Sequence, residues 1–174
     1  MKRFFKQLIV AVHFLPISYA ALADIEVGSH APNFILSDQH SVQHQLSDYE
    51  GSWVILYFYP KDDTPGCTTQ ACDFRDAVKR IVASKSNVFG VSLDSVESHK
   101  RFADKNNLPF SLLSDESGEV SKAYESLNNF MSFKSAKRNT FIIDPEGKIA
   151  KIYRSVKPST HSQMVLNDLN QLQN

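Results

Sequence analysis

Phe58-Tyr59-Pro60-Lys61-Asp62-Asp63-Thr64-Pro65-Gly66-Cys67-Thr68-Thr69-Gln70-Ala71-Cys72-Asp73-Phe74-Arg75 joins a strand to a helix, and both cysteines of the chain fall inside it. The stretch follows Trp53-Val54-Ile55-Leu56-Tyr57-Phe58, apolar throughout, the pattern of a strand buried on both faces. It leads into Ala71, Phe74, Val78, Ile81 and Val82, spaced three and four residues apart as on the buried face of a helix over about 65–84. Between them stands a helix start, with Thr64 or Asp63 as N-cap and Pro65 at the first helical position. With Thr64 as cap, Cys67 is the third helical residue, where backbone N–H groups have no partner within the helix. These groups and the helix dipole favour negative charge, so the Cys67 thiol is expected to ionise more readily than a free cysteine.

The spacing of the two cysteines constrains what they can do. Five steps along a helix turn it by about 500° and rise about 7.5 Å, which puts the two Cα atoms roughly 8.6 Å apart on opposed faces. A disulfide needs them within about 7 Å. Cys67 and Cys72 therefore cannot bond while the helix is whole, and any bridge between them has to move. Other readings compete. A static disulfide closing so short a loop contributes little. A metal site needs further ligands from His30, His40, His44, His99 or His161, and none has zinc-like spacing to the cysteines. Exchange of the thioredoxin type favours Cys-x-x-Cys, which is absent. Cys72 can also be a small buried apolar residue beside Ala71. Cap, spacing and compartment together favour a redox pair.

The compartment is read from the N-terminus. Met1-Lys2-Arg3-Phe4-Phe5-Lys6 is basic, Leu8 to Leu15 is apolar, and Ala21-Leu22-Ala23 is a small-x-small cleavage pattern. Residues 1–23 read as a secretory signal peptide cut after Ala23, and the mature domain as residues 24–174. His13 and Pro16 interrupt a run already too short for the roughly 20 residues of a membrane span, so no membrane association is expected after cleavage. An exported protein of the bacterial periplasm is expected, in a compartment where thiols oxidise. Removing the first 23 of 174 residues leaves 151, one compact domain. Loss of Lys2, Arg3 and Lys6 takes the 19 basic residues to 16 against 19 acidic ones. No basic tract remains to follow a phosphate backbone, which argues against nucleic acid as a partner.

Outward from the cysteine stretch, short strands near 34–36 and 42–46 suggest an N-terminal hairpin, and Tyr49-Glu50-Gly51-Ser52 a turn. Val88–Leu93 reads as a strand, and Asp94-Ser95 caps a helix to about Asn106 with Val96, His99, Phe102 and Ala103 inward. An extended segment Leu108–Leu113 and a short helix from Ser114-Asp115 to about Tyr124 follow. Residues 125–137 read as a polar loop with a turn of helix. Thr140–Ile143 and Lys148–Tyr153 flank Asp144-Pro145-Glu146-Gly147 as a hairpin. Ser159 or Thr160 caps a last helix whose stripe is Met164, Val165, Leu169 and Leu172. His99 reads as a helix residue without chemistry and Asp62-Asp63 as a solvated turn. The element order suits an α/β, thioredoxin-like fold, a central mixed sheet with helices on both faces and the reactive loop after a central strand.

Pro60-x-x-x-Thr64-x-x-Cys67, within Phe58-Tyr59-Pro60-Lys61-Asp62-Asp63-Thr64-Pro65-Gly66-Cys67, resembles the peroxiredoxins, and the Cys-x₄-Cys spacing resembles their PrxQ (bacterioferritin comigratory protein) subgroup. The resemblance extends from Ala31-Pro32-Asn33-Phe34 through Val91-Ser92-Leu93-Asp94-Ser95 to Arg138-Asn139-Thr140-Phe141-Ile142-Ile143-Asp144. It implies a thiol peroxidase acting on hydrogen peroxide and organic hydroperoxides, with Cys67 peroxidatic, Cys72 resolving, and Pro60, Thr64 and Arg138 completing the site. It implies no metal, haem or flavin cofactor, a thioredoxin-like reductant and, with both cysteines in one chain, a monomer. An exported dithiol–disulfide oxidoreductase acting on proteins is the alternative. The family has glutamate where this chain has Gln70, so Arg138 is expected to lose a carboxylate partner and the pocket to be more positive.

Overall fold

The computed structural model describes residues 25–131 and 133–174, so the signal-peptide reading of residues 1–23 lies outside the described residues. The apolar run forms strand β3 at Trp53–Phe58, numbered after β1 (Ile35–Asp38) and β2 (Gln43–Gln45) of the N-terminal hairpin. It pairs in parallel with β4 (Ser86–Ser92) and antiparallel with β8 (Asn139–Ile143). With β5 (Ser111–Ser114) and β9 (Ile149–Arg154) the mixed sheet has the order β2-β1-β5-β4-β3-β8-β9. Strand β3 is central and buried on both faces, as its composition demands.

Helix α1 (Pro65–Ala83) connects β3 to β4, and α2 (Val96–Asn106) connects β4 to β5. Both crossovers join parallel neighbours and step the same way across the sheet. Right-handed connections therefore put both helices on one face. The last helix, α4 (His161–Leu172), joins them there, and Phe74, Ile81, Phe102, Leu166 and Leu169 meet Ile55, Tyr57 and Ile142. The alternate strand residues Val54, Leu56, Phe58 and Phe141 face a second cluster with Phe34, Leu46 and Tyr124. That face carries the short α3 (Glu119–Ala123), a 3₁₀ turn at Leu46–Tyr49, irregular chain and Ala136 of a further strand. The expectation of helices on both faces thus holds in a lopsided form. Gly90 is required by packing, because a Cβ there would come within 2.7 Å of the Tyr57 phenol.

Three readings are corrected. Residues 125–137 hold a β-hairpin, β6 (Leu127–Phe130) and β7 (Phe133–Ala136), in place of a loop with helix. Lys137 N–H donates to Ser126 O at 2.6 Å and closes its base. The last helix buries His161, Val165, Leu166 and Leu169, while Met164 and Leu172 are exposed, as is Val82 of α1. The short helix starts at Glu119, later than Ser114-Asp115, because the Asp115 carboxylate accepts from Val120 and Ser121 N–H and organises the turn before it. Among the described residues no helix is long and apolar enough to cross a membrane.

His161, at the start of α4, is fully buried, its Nε2 2.9 Å from Thr140 Oγ1 and its ring edge-on to Phe74 and Tyr153. Burial pushes its pKa down to about 4. An unfolded chain takes up this proton from about pH 6.5 downward and the folded chain only near pH 4, so stability falls as pH drops through that window. The loss is about 3 kcal/mol. Denaturant titrations across the window should show a shallower pH slope for His161→Phe than for wild type, by about that amount; parallel slopes contradict the assignment.

Candidate active site

Tyr59 N–H donates to Val91 O at 3.0 Å, and the next residue, Pro60, has no N–H to continue the ladder. Pro60 is half-buried where β3 ends. Thr64 is extended, as a residue before proline prefers (φ −85°, ψ 146°), and α1 begins at Pro65. Its hydroxyl donates to Lys61 O at 3.0 Å, so it closes the turn before the helix and makes no side-chain cap bond. The first intrahelical bond runs from Thr68 N–H to Thr64 O (2.9 Å), which leaves the Gly66 and Cys67 N–H groups ahead of the ladder. Cys67 thus occupies the third position of the helix, as expected. Its side chain is 1% exposed and its sulfur is a free thiol.

Arg138 reaches this helix start from the other side of β3, at the threshold of β8. Its Nη2 donates to Cys67 Sγ at 3.3 Å and its Nη1 to Gln70 Oε1 at 2.5 Å. Residues 67 and 70 are neighbours on one helix face, so one planar fork spans both. Gly66 lies directly beneath the guanidinium, where a Cβ would be 3.4 Å from Nη2. Gln70 is fully buried, and its Nε2 has no partner among the described residues. A neutral carbonyl therefore stands where the family's carboxylate is expected, and among the described residues no carboxylate pairs with the guanidinium that faces the sulfur. Cys72 is half-buried and free, farther along the unbroken helix. The intact α1 keeps the two cysteines in the arrangement that forbids a bond between them.

Asp62 is not the solvated turn residue that the sequence suggests, and His99, inward on α2 as expected, is its partner. Asp62 is only 5% exposed and accepts from Tyr59 Oη (2.7 Å), Ser98 Oγ (2.8 Å) and the His99 ring at Nδ1 (2.9 Å). Only Asp63 sits in solvent, in the left-handed region and paired with Lys105. The available signal was His99 on the inward stripe of α2, since a polar group on an apolar face calls for a buried partner. Among the described residues no cluster of His, Cys, Asp and Glu could hold a metal ion.

A family model described as "AhpC/TSA family" matches residues 27–152. The chain belongs to that family. Peroxiredoxin Bcp of Bacillus subtilis (strain 168) is 42% identical over 149 residues, covering 83% of this chain and 95% of the relative. Peroxiredoxin Bcp of Escherichia coli (strain K12) is 40% identical over 147 residues, 82% of this chain and 94% of the relative. A mutant PrxQ from Xylella fastidiosa superposes with a TM-score of 0.82 at 33% identity, covering 87% of this chain and 99% of that one. A bacterioferritin comigratory protein from Xanthomonas campestris, described for its alkyl peroxide reduction activity, gives 0.77 at 33% identity, covering 81% and 92%. Peroxiredoxin membership, the PrxQ resemblance and the thioredoxin-like fold are borne out.

Replacing Arg138 removes both donors at once. Arg138→Met should slow reaction of Cys67 with peroxide by about two orders of magnitude. Gln70→Glu supplies an anion beside Arg138 and should slow the reaction of Cys67 with peroxide relative to wild type. An unchanged or faster rate contradicts the charge argument.

Proposed function

We propose that this thiol-dependent peroxidase reduces hydrogen peroxide and organic hydroperoxides through a sulfenic acid on Cys67 and an intramolecular Cys67–Cys72 disulfide. The observation that carries the reading is the Arg138 guanidinium on the Cys67 sulfur at the first turn of a helix. The thiolate attacks the peroxide oxygen in line with the O–O bond. The sulfur keeps one oxygen as sulfenic acid, and the other leaves as alkoxide or hydroxide and takes up a proton. Unpaired N–H groups at Gly66 and Cys67 and the Arg138 fork supply donors for the charge that grows on the oxygens, and the Thr64 hydroxyl joins them when its proton turns from Lys61 O to the peroxide. Pro60, rigid and without an N–H, walls the site against water. The alkyl peroxide reduction of the Xanthomonas campestris relative supports organic hydroperoxides as substrates.

The first turns of α1 then unwind. The Cys72 sulfur attacks the Cys67 sulfur, the S–O bond breaks, hydroxide leaves as water, and the disulfide forms. A thioredoxin-like dithiol reduces it, delivering two electrons and two protons. The enzyme works as a monomer, and residues 1–23 direct it to the bacterial periplasm. Reduction of protein disulfides, the alternative, is not favoured, because Cys67 is buried against Arg138 where a protein disulfide has no access.

Peroxide titration of reduced protein should consume two thiols per peroxide and yield a Cys67–Cys72 linkage in peptide maps. Cys67→Ser should consume no peroxide beyond background. Cys72→Ser should undergo one oxidation at Cys67 and then turn over poorly with a thioredoxin donor. Peroxide consumption by Cys67→Ser sinks the assignment. Recovery of the native protein from a periplasmic extract without residues 1–23 tests the location, and retention of those residues contradicts it.

A further inference from the structure

The proposed chemistry makes opposite demands on the start of α1: Cys67 has to stay against Arg138 for attack and has to leave it for Cys72. Something upstream must set the balance. Asp62, five residues before Cys67, is tied down twice. Its carboxylate holds Tyr59 Oη, Ser98 Oγ and the His99 ring, while its own N–H donates to Asp94 Oδ2 at 2.9 Å. Asp94 is itself held, accepting from Ser92 Oγ at 2.6 Å at the end of β4. His99 is fully buried, and its second nitrogen lies 3.2 Å from Leu113 O. The loop is thus moored to β4, α2 and β5 together. Burial raises the cost of the Asp62 charge, but the His99, Tyr59 and Ser98 bonds outweigh it and hold its pKa below the usual carboxylate value. A buried polar cluster of this kind is stable only while every member is satisfied, so it opposes displacement of the residues it holds.

We infer that Asp62 and His99 are positioning residues for the reaction, moorings of the loop before α1 that favour Cys67 seated against Arg138 over Cys67 released toward Cys72. They touch neither the thiol nor the peroxide and act through the backbone of residues 62–67. This rests on the functional reading above. Once Cys67 is a sulfenic acid, it has two fates. Release lets Cys72 attack, giving the disulfide and water. Retention lets a second peroxide add its oxygen, giving the sulfinic acid while that peroxide is reduced to alcohol or water. The mooring therefore governs the ratio of disulfide to sulfinate as well as the rate of the first oxidation.

The test is to mix reduced protein with a stated excess of hydrogen peroxide, quench, and quantify the Cys67–Cys72 disulfide and the Cys67 sulfinate by mass spectrometry, with the first-step rate measured alongside. Asp62→Asn and His99→Gln should each raise the disulfide-to-sulfinate ratio by about tenfold while slowing the first oxidation, the scale of one lost charge-assisted hydrogen bond. A merely structural role predicts loss of both steps together with an unchanged ratio, and an unchanged or lowered ratio overturns the inference. If these variants do not fold, Ser98→Ala, which removes one donor and keeps the His99 contact, carries the same test with a smaller rise, about threefold. An unchanged ratio there overturns the inference equally. Wild type that forms no Cys67–Cys72 linkage defeats the functional reading itself; wild type that forms it beside variants with the wild-type ratio defeats only the mooring.

Discussion

A guanidinium held 3.3 Å from a buried sulfur is the contact on which the rest of this structure depends. The two residues are 71 positions apart in sequence and meet because α1 begins at one end of β3 while β8 delivers Arg138 from the opposite flank of the same strand. The central strand is buried on both faces and cannot shift without disturbing both core clusters. It acts as the fixed frame against which charge and nucleophile are aligned. Charge-assisted hydrogen bonding in a site screened from water is stronger than in solvent, so burial of Cys67 adds to the reach of Arg138.

The same helix carries a conflict. A regular α1 places Cys67 at its tip and Cys72 out of bonding distance, so the geometry that prepares the first step forbids the second. Gln70 sits between the cysteines with its amide nitrogen unpartnered among the described residues, and Asp73, next to Cys72, accepts from Ser162 N–H at the start of α4. Unwinding that stays N-terminal to Asp73 leaves this bond in place and the packing of Phe74, Ala77 and Ile81 intact. The segment from Asp62 to Cys72 is then a moving part between two fixed points, the buried carboxylate upstream and the core-facing half of α1 downstream.

Much of this was legible in sequence because it is local. An apolar run, a Thr-Pro helix start and two strand–helix–strand crossovers each rest on neighbouring residues, and the position of Cys67 in the first turn follows from them. What escaped detection depends on distant chain. Asp62 and Asp63 are chemically identical neighbours in a turn; one is buried only because β4 ends and α2 begins beside it. The β6–β7 hairpin leaves most of its side chains exposed, the apolar Phe130 and Phe133 among them, so its pairing rests on backbone bonds and presents no alternation of buried and exposed residues to read. Val82, Met164 and Leu172 keep helical spacing but extend past the edge of what their helices cover. Arg138 had its partners proposed from resemblance alone; no local pattern near residue 138 points at a thiol.

The claim that the disulfide requires α1 to come apart is tested most directly by amide hydrogen exchange on the reduced and the peroxide-oxidised protein, resolved along the helix. The account predicts that oxidation strips protection from the amides of Thr68–Cys72 while those of Phe74–Ala83 and β3 keep theirs. A fully formed Cys67–Cys72 linkage with Thr68–Cys72 as protected as in the reduced protein would contradict it.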